Sequence, residues 1–205
     1  MGQVVSAMAF PVPDNRAGRA ALEVERESIH WVSTRTGERL PVLYLRRGPE
    51  RSKYTLLFSH GNAEDLGLSI RLLQHLSGTL KCDVVAYEYC GYGIAEGTPS
   101  ERGCYASIEA AFWYMTERAE IPPREVIVVG RSLGSGPSVD LAARTPGLAA
   151  LVLISPLESG VRVVAGKNGS NLLRPLDIFP NYRKMKKVDC PVLVVHGEKD
   201  EGTHH

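Results

Sequence analysis

The strongest constraint in this 205-residue chain is the run Val126-Ile127-Val128-Val129-Gly130-Arg131-Ser132-Leu133-Gly134-Ser135-Gly136. A short β-branched run reads as a buried parallel strand. It feeds into Gly-x-Ser-x-Gly, and a helical stretch over about 135–144 follows. Strand, sharp turn, helix is the setting in which that pattern lifts a nucleophilic serine above a sheet edge. Gly130 and Gly134 then have a steric reason, because side chains there would collide with the neighbouring strand and helix. In a chain with 20 glycines the bare pattern carries little weight, and this context is what makes Ser132 the candidate nucleophile.

A second motif supplies what such a serine needs. Residues 54–59 read as another buried strand, ending in His60-Gly61-Asn62-Ala63. An amphipathic helix is predicted over 65–80, with Leu68, Leu72, Leu76 and Leu80 at helical spacing and Leu73 beside them. A His-Gly turn after an early strand is the place for half of an oxyanion hole, with the backbone N–H near Asn62 as donor. The other half is the backbone N–H of Leu133, the residue after the serine. Two preset N–H donors favour a tetrahedral oxyanion over a ground-state carbonyl.

The remainder alternates strand and helix. Residues 28–33 and 39–45 predict an antiparallel hairpin turning at Thr36-Gly37, and 83–89 a strand ending at Gly91-Tyr92-Gly93. Ser100 caps a predicted helix whose buried stripe is Tyr105, Ile108, Phe112 and Met115. Strands follow at 151–156 and 191–197. Between them a looser stretch with Gly160, Gly166, Asn168, Gly169 and Pro175 is placed to line a substrate site. Repeated strand–helix units call for a mostly parallel sheet covered on both faces. With 43% hydrophobic residues the chain can bury a single core. A net charge of +1 with interspersed signs argues against a nucleic-acid surface. No run is long enough to span a membrane, and the start lacks a secretory signal. Cys82, Cys90, Cys104 and Cys190 are scattered as reduced thiols would be, so neither a metal site nor a cofactor is expected.

These residues resemble the α/β hydrolases, and more narrowly the α/β-hydrolase-domain-containing-seventeen group of protein depalmitoylases. The resemblance is carried by residues 59–65 (Ser-His-Gly-Asn-Ala-Glu-Asp), 87–93 (Tyr-Glu-Tyr-Cys-Gly-Tyr-Gly) and 130–134, and extended by 155–160 and 196–201. It spans about 28–201. It implies a mostly parallel central sheet with helices on both faces, Ser132 as nucleophile, and Asp200 as the acid that orients a catalytic histidine. Glu88 and Cys90 stand where the group more often has Asp and Ser, and its cysteine-rich N-terminal cluster is missing. The implied function is hydrolysis of long-chain acyl thioesters, such as S-palmitoyl groups on membrane-associated proteins. Two other classes stay open: another esterase, lysophospholipase or peptidase of this fold, and a non-catalytic membrane-associated binding protein.

The two ends add expectations of their own. In this fold the order is Ser, Asp, His, with one more strand and helix after the acid. Here only five residues follow Asp200, ending in His204 and His205. None of His30, His60, His75 or His196 has the context of the base, and His204 or His205 would have to fold back to serve. A chain of this length is therefore expected to be a poor catalyst with an exposed apolar last strand. Met1-Gly2-Gln3-Val4-Val5-Ser6 matches the myristoylation pattern, with Gly2 as acceptor. Residues 1–27 are expected as a flexible lipid-anchor segment and 28–205 as the hydrolase domain. One myristoyl chain gives reversible binding, so the expected location is the cytoplasmic face of membranes, peripheral and partly cytosolic. The expected partner is an acylated protein or lipid substrate, not nucleic acid.

Overall fold

The computed structural model describes residue 10, residues 16–157 and residues 178–197. Seven strands form one sheet among these residues: β1 (Ile29–Ser33), β2 (Arg39–Leu45), β3 (Thr55–Ser59), β4 (Asp83–Tyr87), β5 (Val126–Arg131), β6 (Ala150–Ile154) and β7 (Val192–Val195). Their spatial order is β1-β2-β4-β3-β5-β6-β7. β1 and β2 form the expected antiparallel hairpin, and β2 runs antiparallel to β4. From β4 to β7 every pairing is parallel, as continuous apolar strands require. The order brings β3 and β5, the strands that precede the two motifs, side by side, with Ser59 opposite Gly130.

Alternation along the strands divides the core into two layers. Leu57, Val85, Tyr87 and Val128 face one side, with Ile108, Met115, Val139 and Leu141 of the covering helices. Leu56, Phe58, Val84, Ala86 and Val129 face the other, with Leu66, Ile70 and Leu73. The helices are α1 (Arg16–Val24), α2 (Leu66–Leu80), α3 (Glu101–Trp113), α4 (Ser135–Arg144) and the short α5 (Asn181–Lys184). α3 is capped as expected, the Ser100 hydroxyl accepting the Gly103 N–H at 3.0 Å. Its buried face runs through Cys104, Ser107, Ile108, Ala110 and Ala111, while Tyr105 and Phe112 are only partly buried.

Two expectations are corrected. On α2 the buried stripe is Leu66, Ile70, Leu73 and Ser77, whereas Leu68, Leu72 and Leu80 are 46%, 36% and 56% exposed. A strict four-residue spacing walks about 40° around the helix at each step, so the leucine line drifts off the packed face. The segment 1–27, expected to be flexible, contains α1, which packs against α2 and buries Leu22. The contact depends on two glycines: a Cβ on Gly67 would overlap the Gly18 carbonyl, and one on Gly18 would overlap the Asp65 carboxylate. The expected apolar edge is present at β7, which among the described residues pairs only with β6. Its Val192, Leu193, Val194 and Val195 are 41%, 57%, 53% and 48% exposed.

The glycine crossing yields a prediction with an unusual sign. Gly→Ala inside a helix normally stabilises by about 1 kcal/mol. Gly67→Ala must instead push α1 off α2, and overpacking of this kind destabilises by about 1–3 kcal/mol. The measurement is the urea midpoint, expected to fall; an unchanged or higher midpoint contradicts the packing.

Candidate active site

Ser132 sits at φ +50°, in the left-handed region that non-glycine residues rarely occupy. It opens a short 3₁₀ turn, Ser132–Gly134, between β5 and α4. The turn persists because both glycines are wedged. A Cβ on Gly130 would lie 2.6 Å from the Gly134 carbonyl oxygen and 2.7 Å from the Ser138 hydroxyl. A Cβ on Gly134 would overlap the Ser59 carbonyl. Gly134 therefore packs directly on the backbone at the end of β3, which brings the Ser132–Leu133 turn beside the loop that starts at His60. The Ser135 hydroxyl donates to the Ser132 carbonyl at 2.7 Å and closes the turn.

The loop at 60–65 is held by side chains from three directions. His60 is fully buried; its Nε2 lies 2.8 Å from Glu88 Oε1 and its Nδ1 lies 2.9 Å from the Gly61 carbonyl. The Tyr89 hydroxyl donates to the His60 carbonyl at 2.7 Å, and the Tyr92 hydroxyl donates to Asn62 Oδ1 at 3.0 Å. Glu64 accepts the Gly61 N–H at 3.2 Å and pairs with Arg131 at 2.6 Å, tying the loop to the residue before the serine. Asp65 caps α2 by accepting the Leu68 N–H at 2.7 Å. Burial pushes the Asp65 carboxyl above its ordinary value against the pull of that N–H. Ala63 takes φ +55°, so the loop stores strain as the serine turn does.

Beneath the loop a chain of hydroxyls crosses the sheet. Ser138 of α4 donates to Ser59 at 3.1 Å, and Ser59 meets the Tyr87 hydroxyl at 2.7 Å. Burial raises the Tyr87 and Tyr89 phenols well above their ordinary value, so both stay protonated and available as donors. On the other side of the turn, Ser135 also accepts the Leu157 N–H at 3.0 Å, and Asn181 donates to the Leu157 carbonyl at 2.8 Å. Phe179 at φ +51° packs its ring on Gly136, one helical turn beyond Ser132, and meets Phe10 edge-on with ring centres 6.1 Å apart. A cleft of about 1050 Å³ lies elsewhere, between Trp31 of β1 and Trp113 of α3, and shares no lining residue with the turn or the loop.

Of the residues singled out from sequence, the structure brings Ser132, Leu133 and Asn62 to the carboxyl ends of β5 and β3. Asp200, His204, His205 and Gly2 lie outside the described residues, as do Gly160, Gly166, Asn168, Gly169 and Pro175. His30 lies on β1 against Tyr114, ring centres 5.0 Å apart, and burial lowers its pKa. His75 is exposed on α2, and His196 follows β7, half-buried. His60 is enclosed by its two acceptors, which directs it away from the role of base. Sequence reasoning assigned no part to Glu64, Glu88, Tyr89, Tyr92 or Arg131. The signal was their place inside the segments 59–65 and 87–93 and, for Arg131, 130–134.

A family profile described as alpha/beta hydrolase fold matches residues 54–166. Human alpha/beta hydrolase domain-containing protein 17B is 44% identical to this chain, over 98% of the chain and 75% of the human protein. The Caenorhabditis elegans alpha/beta hydrolase domain-containing protein aho-3 is 46% identical, over 97% of the chain and 64% of that protein. Among solved structures, an alpha-beta hydrolase from Vibrio vulnificus superposes with a TM-score of 0.77 at 20% identity, covering 98% of this chain and 78% of that one. That likeness shows the fold. With the relatives' identity over nearly its whole length, this chain belongs to the α/β hydrolases, in the alpha/beta hydrolase domain-containing protein 17 group.

Proposed function

We propose that this protein is a serine hydrolase that cleaves long-chain acyl thioesters, S-palmitoyl groups on membrane-associated proteins being the substrate class. The observation that carries the reading is Ser132 at φ +50°, wedged between Gly130 and Gly134 where β5 meets α4. A serine pays for so strained a backbone only when its surroundings over-determine it, which is the mark of a functional position. The acyl preference comes from the group resemblance.

The chemistry follows from the parts. Ser132 Oγ attacks the thioester carbonyl carbon as a histidine base takes its proton. Asp200 orients that base. The oxyanion is met by the backbone N–H groups of Asn62 and Leu133. The C–S bond breaks and the thiol leaves with the proton. Water then hydrolyses the acyl-serine ester and releases the fatty acid. A polar loop fixed from several sides suits this role, since donors already in place need no reorganisation as charge develops.

Membrane association is the second half of the reading. Gly2 carries a myristoyl group that holds the enzyme reversibly at the cytoplasmic face of membranes, where acylated cysteines are presented. Among the described residues no helix is long and apolar enough to cross a membrane.

Ser132→Ala in the full-length protein is expected to abolish labelling by a fluorophosphonate and to lower thioester turnover by at least about 10³-fold. Undiminished turnover in that variant would overturn the assignment. For the anchor, mass spectrometry of the N-terminus after co-expression with an N-myristoyltransferase should show a myristoylated Gly2. A retained Met1 or an acetylated Gly2 would remove it.

A further inference from the structure

We propose that the buried His60–Glu88 pair is a positioning device for acyl transfer: Glu88 acts through His60 to set the loop that presents the Asn62 N–H. This rests on the serine-hydrolase reading above and extends it to residues that touch neither substrate nor nucleophile.

The geometry begins with the acceptors around His60. Its Nε2 faces a Glu88 oxygen at 2.8 Å and its Nδ1 faces the Gly61 carbonyl at 2.9 Å. A neutral imidazole has one N–H and would leave a lone pair against an oxygen. Beside the Glu88 charge that raises its pKa, the doubly protonated ring satisfies both contacts and carries a positive charge. Burial alone would lower its pKa. The Glu88 charge and hydrogen bond, then the Gly61 carbonyl and the Glu64 charge, outweigh burial and raise it. The Gly61 carbonyl is thereby held inward, toward the ring. Successive peptide groups are rigid planes, so fixing the Gly61 carbonyl also fixes the adjoining N–H of Asn62.

Glu88 is placed to do more than neutralise. Its Oε1 also accepts the Tyr89 N–H at 3.1 Å, and its Oε2 accepts the Leu66 N–H at 2.9 Å, the first amide of α2. One carboxylate thus joins the end of β4, the β3–α2 loop and the start of α2. It is fully buried, and Gly93 at φ +52° leaves it room, since a Cβ there would overlap Glu88 Oε2. The turn at 91–93 is shaped around this carboxylate. Shared fixing by Tyr89 and Tyr92 completes the clamp. The groups that face His60 are Glu88, Tyr89 and Tyr92 from the β4–α3 connection, and Glu64 and Asp65 from its own loop. Arg131 of β5 partners Glu64.

The sign of the pH effect follows. A histidine whose folded pKa is raised contributes stability that is fully present below about 6.5, its ordinary value. That contribution is lost as pH rises through the folded value. The loop is therefore set below about 6.5 and is released as pH rises through the raised folded value.

The test uses the full-length protein and three readouts. In Glu88→Gln, which keeps the shape and removes the charge, kcat for a long-chain thioester should fall roughly 10- to 100-fold, with KM within about twofold. The alkaline limb of the pH profile should move to lower pH while the acid limb stays. Glu88→Asp, which restores the charge, should recover part of kcat and the position of the limb. Independently of activity, nuclear magnetic resonance of the parent should show His60 titrating above the ordinary histidine value of about 6.5, and this readout stands even if Glu88→Gln fails to fold. A His60 in the parent that titrates at or below about 6.5 overturns the proposal. So does a folded Glu88→Gln with unchanged kcat and pH limb. Those results leave Ser132 untouched, whereas undiminished labelling of Ser132→Ala would sink the serine reading and leave the charge state of His60 standing.

Discussion

Everything at the carboxyl edge of this sheet depends on one backbone contact: Gly134 resting on the Ser59 carbonyl. No side chain fits between the serine turn and the end of β3. The contact forces Ser132 into the left-handed region, at a strain of about 1–3 kcal/mol. It is affordable because β5 lies between β3 and β6, with Val126, Val128 and Val129 buried. Strands that bury both faces make a rigid base, and a strained turn survives only on a rigid base.

The polar groups around that contact are few and most are engaged, Asp65 Oδ2 and Asn181 Oδ1 being buried without a partner among the described residues. Glu88 ties three segments by a single carboxylate, and Glu64 ties the loop to Arg131. Breaking a buried ion pair by removing one partner typically costs about 3–5 kcal/mol, because the other charge is left uncompensated. The Glu64–Arg131 pair is more exposed, and its contribution to stability is correspondingly small. Its worth lies in direction, since it joins the loop to the residue before Ser132. Of the six non-glycine residues with positive φ among the described residues, four, Ala63, Ser132, Ser155 and Phe179, lie in this region, while Lys81 and Glu120 lie elsewhere. Of those four, all but Phe179 fall just after β3, β5 or β6, and Phe179 packs on α4 beside the turn.

Much of this was legible in the sequence because the signals were local. The parallel strands announced themselves as apolar runs, β-branched in β4, β5 and β7, and α4 begins and ends at Ser135 and Arg144 as read. The serine turn was legible because glycine spacing and flanking elements agreed. What was not legible was pairing across distance. His60 and Glu88 are 28 residues apart, and Arg131 and Glu64 are 67 apart. No periodicity reports such pairs; only the fold brings them together. α1 was missed because it is short and buries only Gly18 and Leu22. The leucine line on α2 misled because spacing by four looks helical but turns away from a straight contact.

The central claim is that the close approach of the serine turn to the β3 end creates the reactive serine. Gly134→Ala tests it with one methyl group, which must push the Ser59 carbonyl and the loop behind it away from the turn. The measurement is the second-order rate of fluorophosphonate labelling of Ser132 in the full-length protein, with circular dichroism confirming that the sheet is intact. The account predicts a fall of about 100-fold or more, the loss that follows when an oxyanion donor is misplaced. Labelling within about twofold of the parent rate would contradict it, because reactivity would then not depend on how closely the two backbones meet.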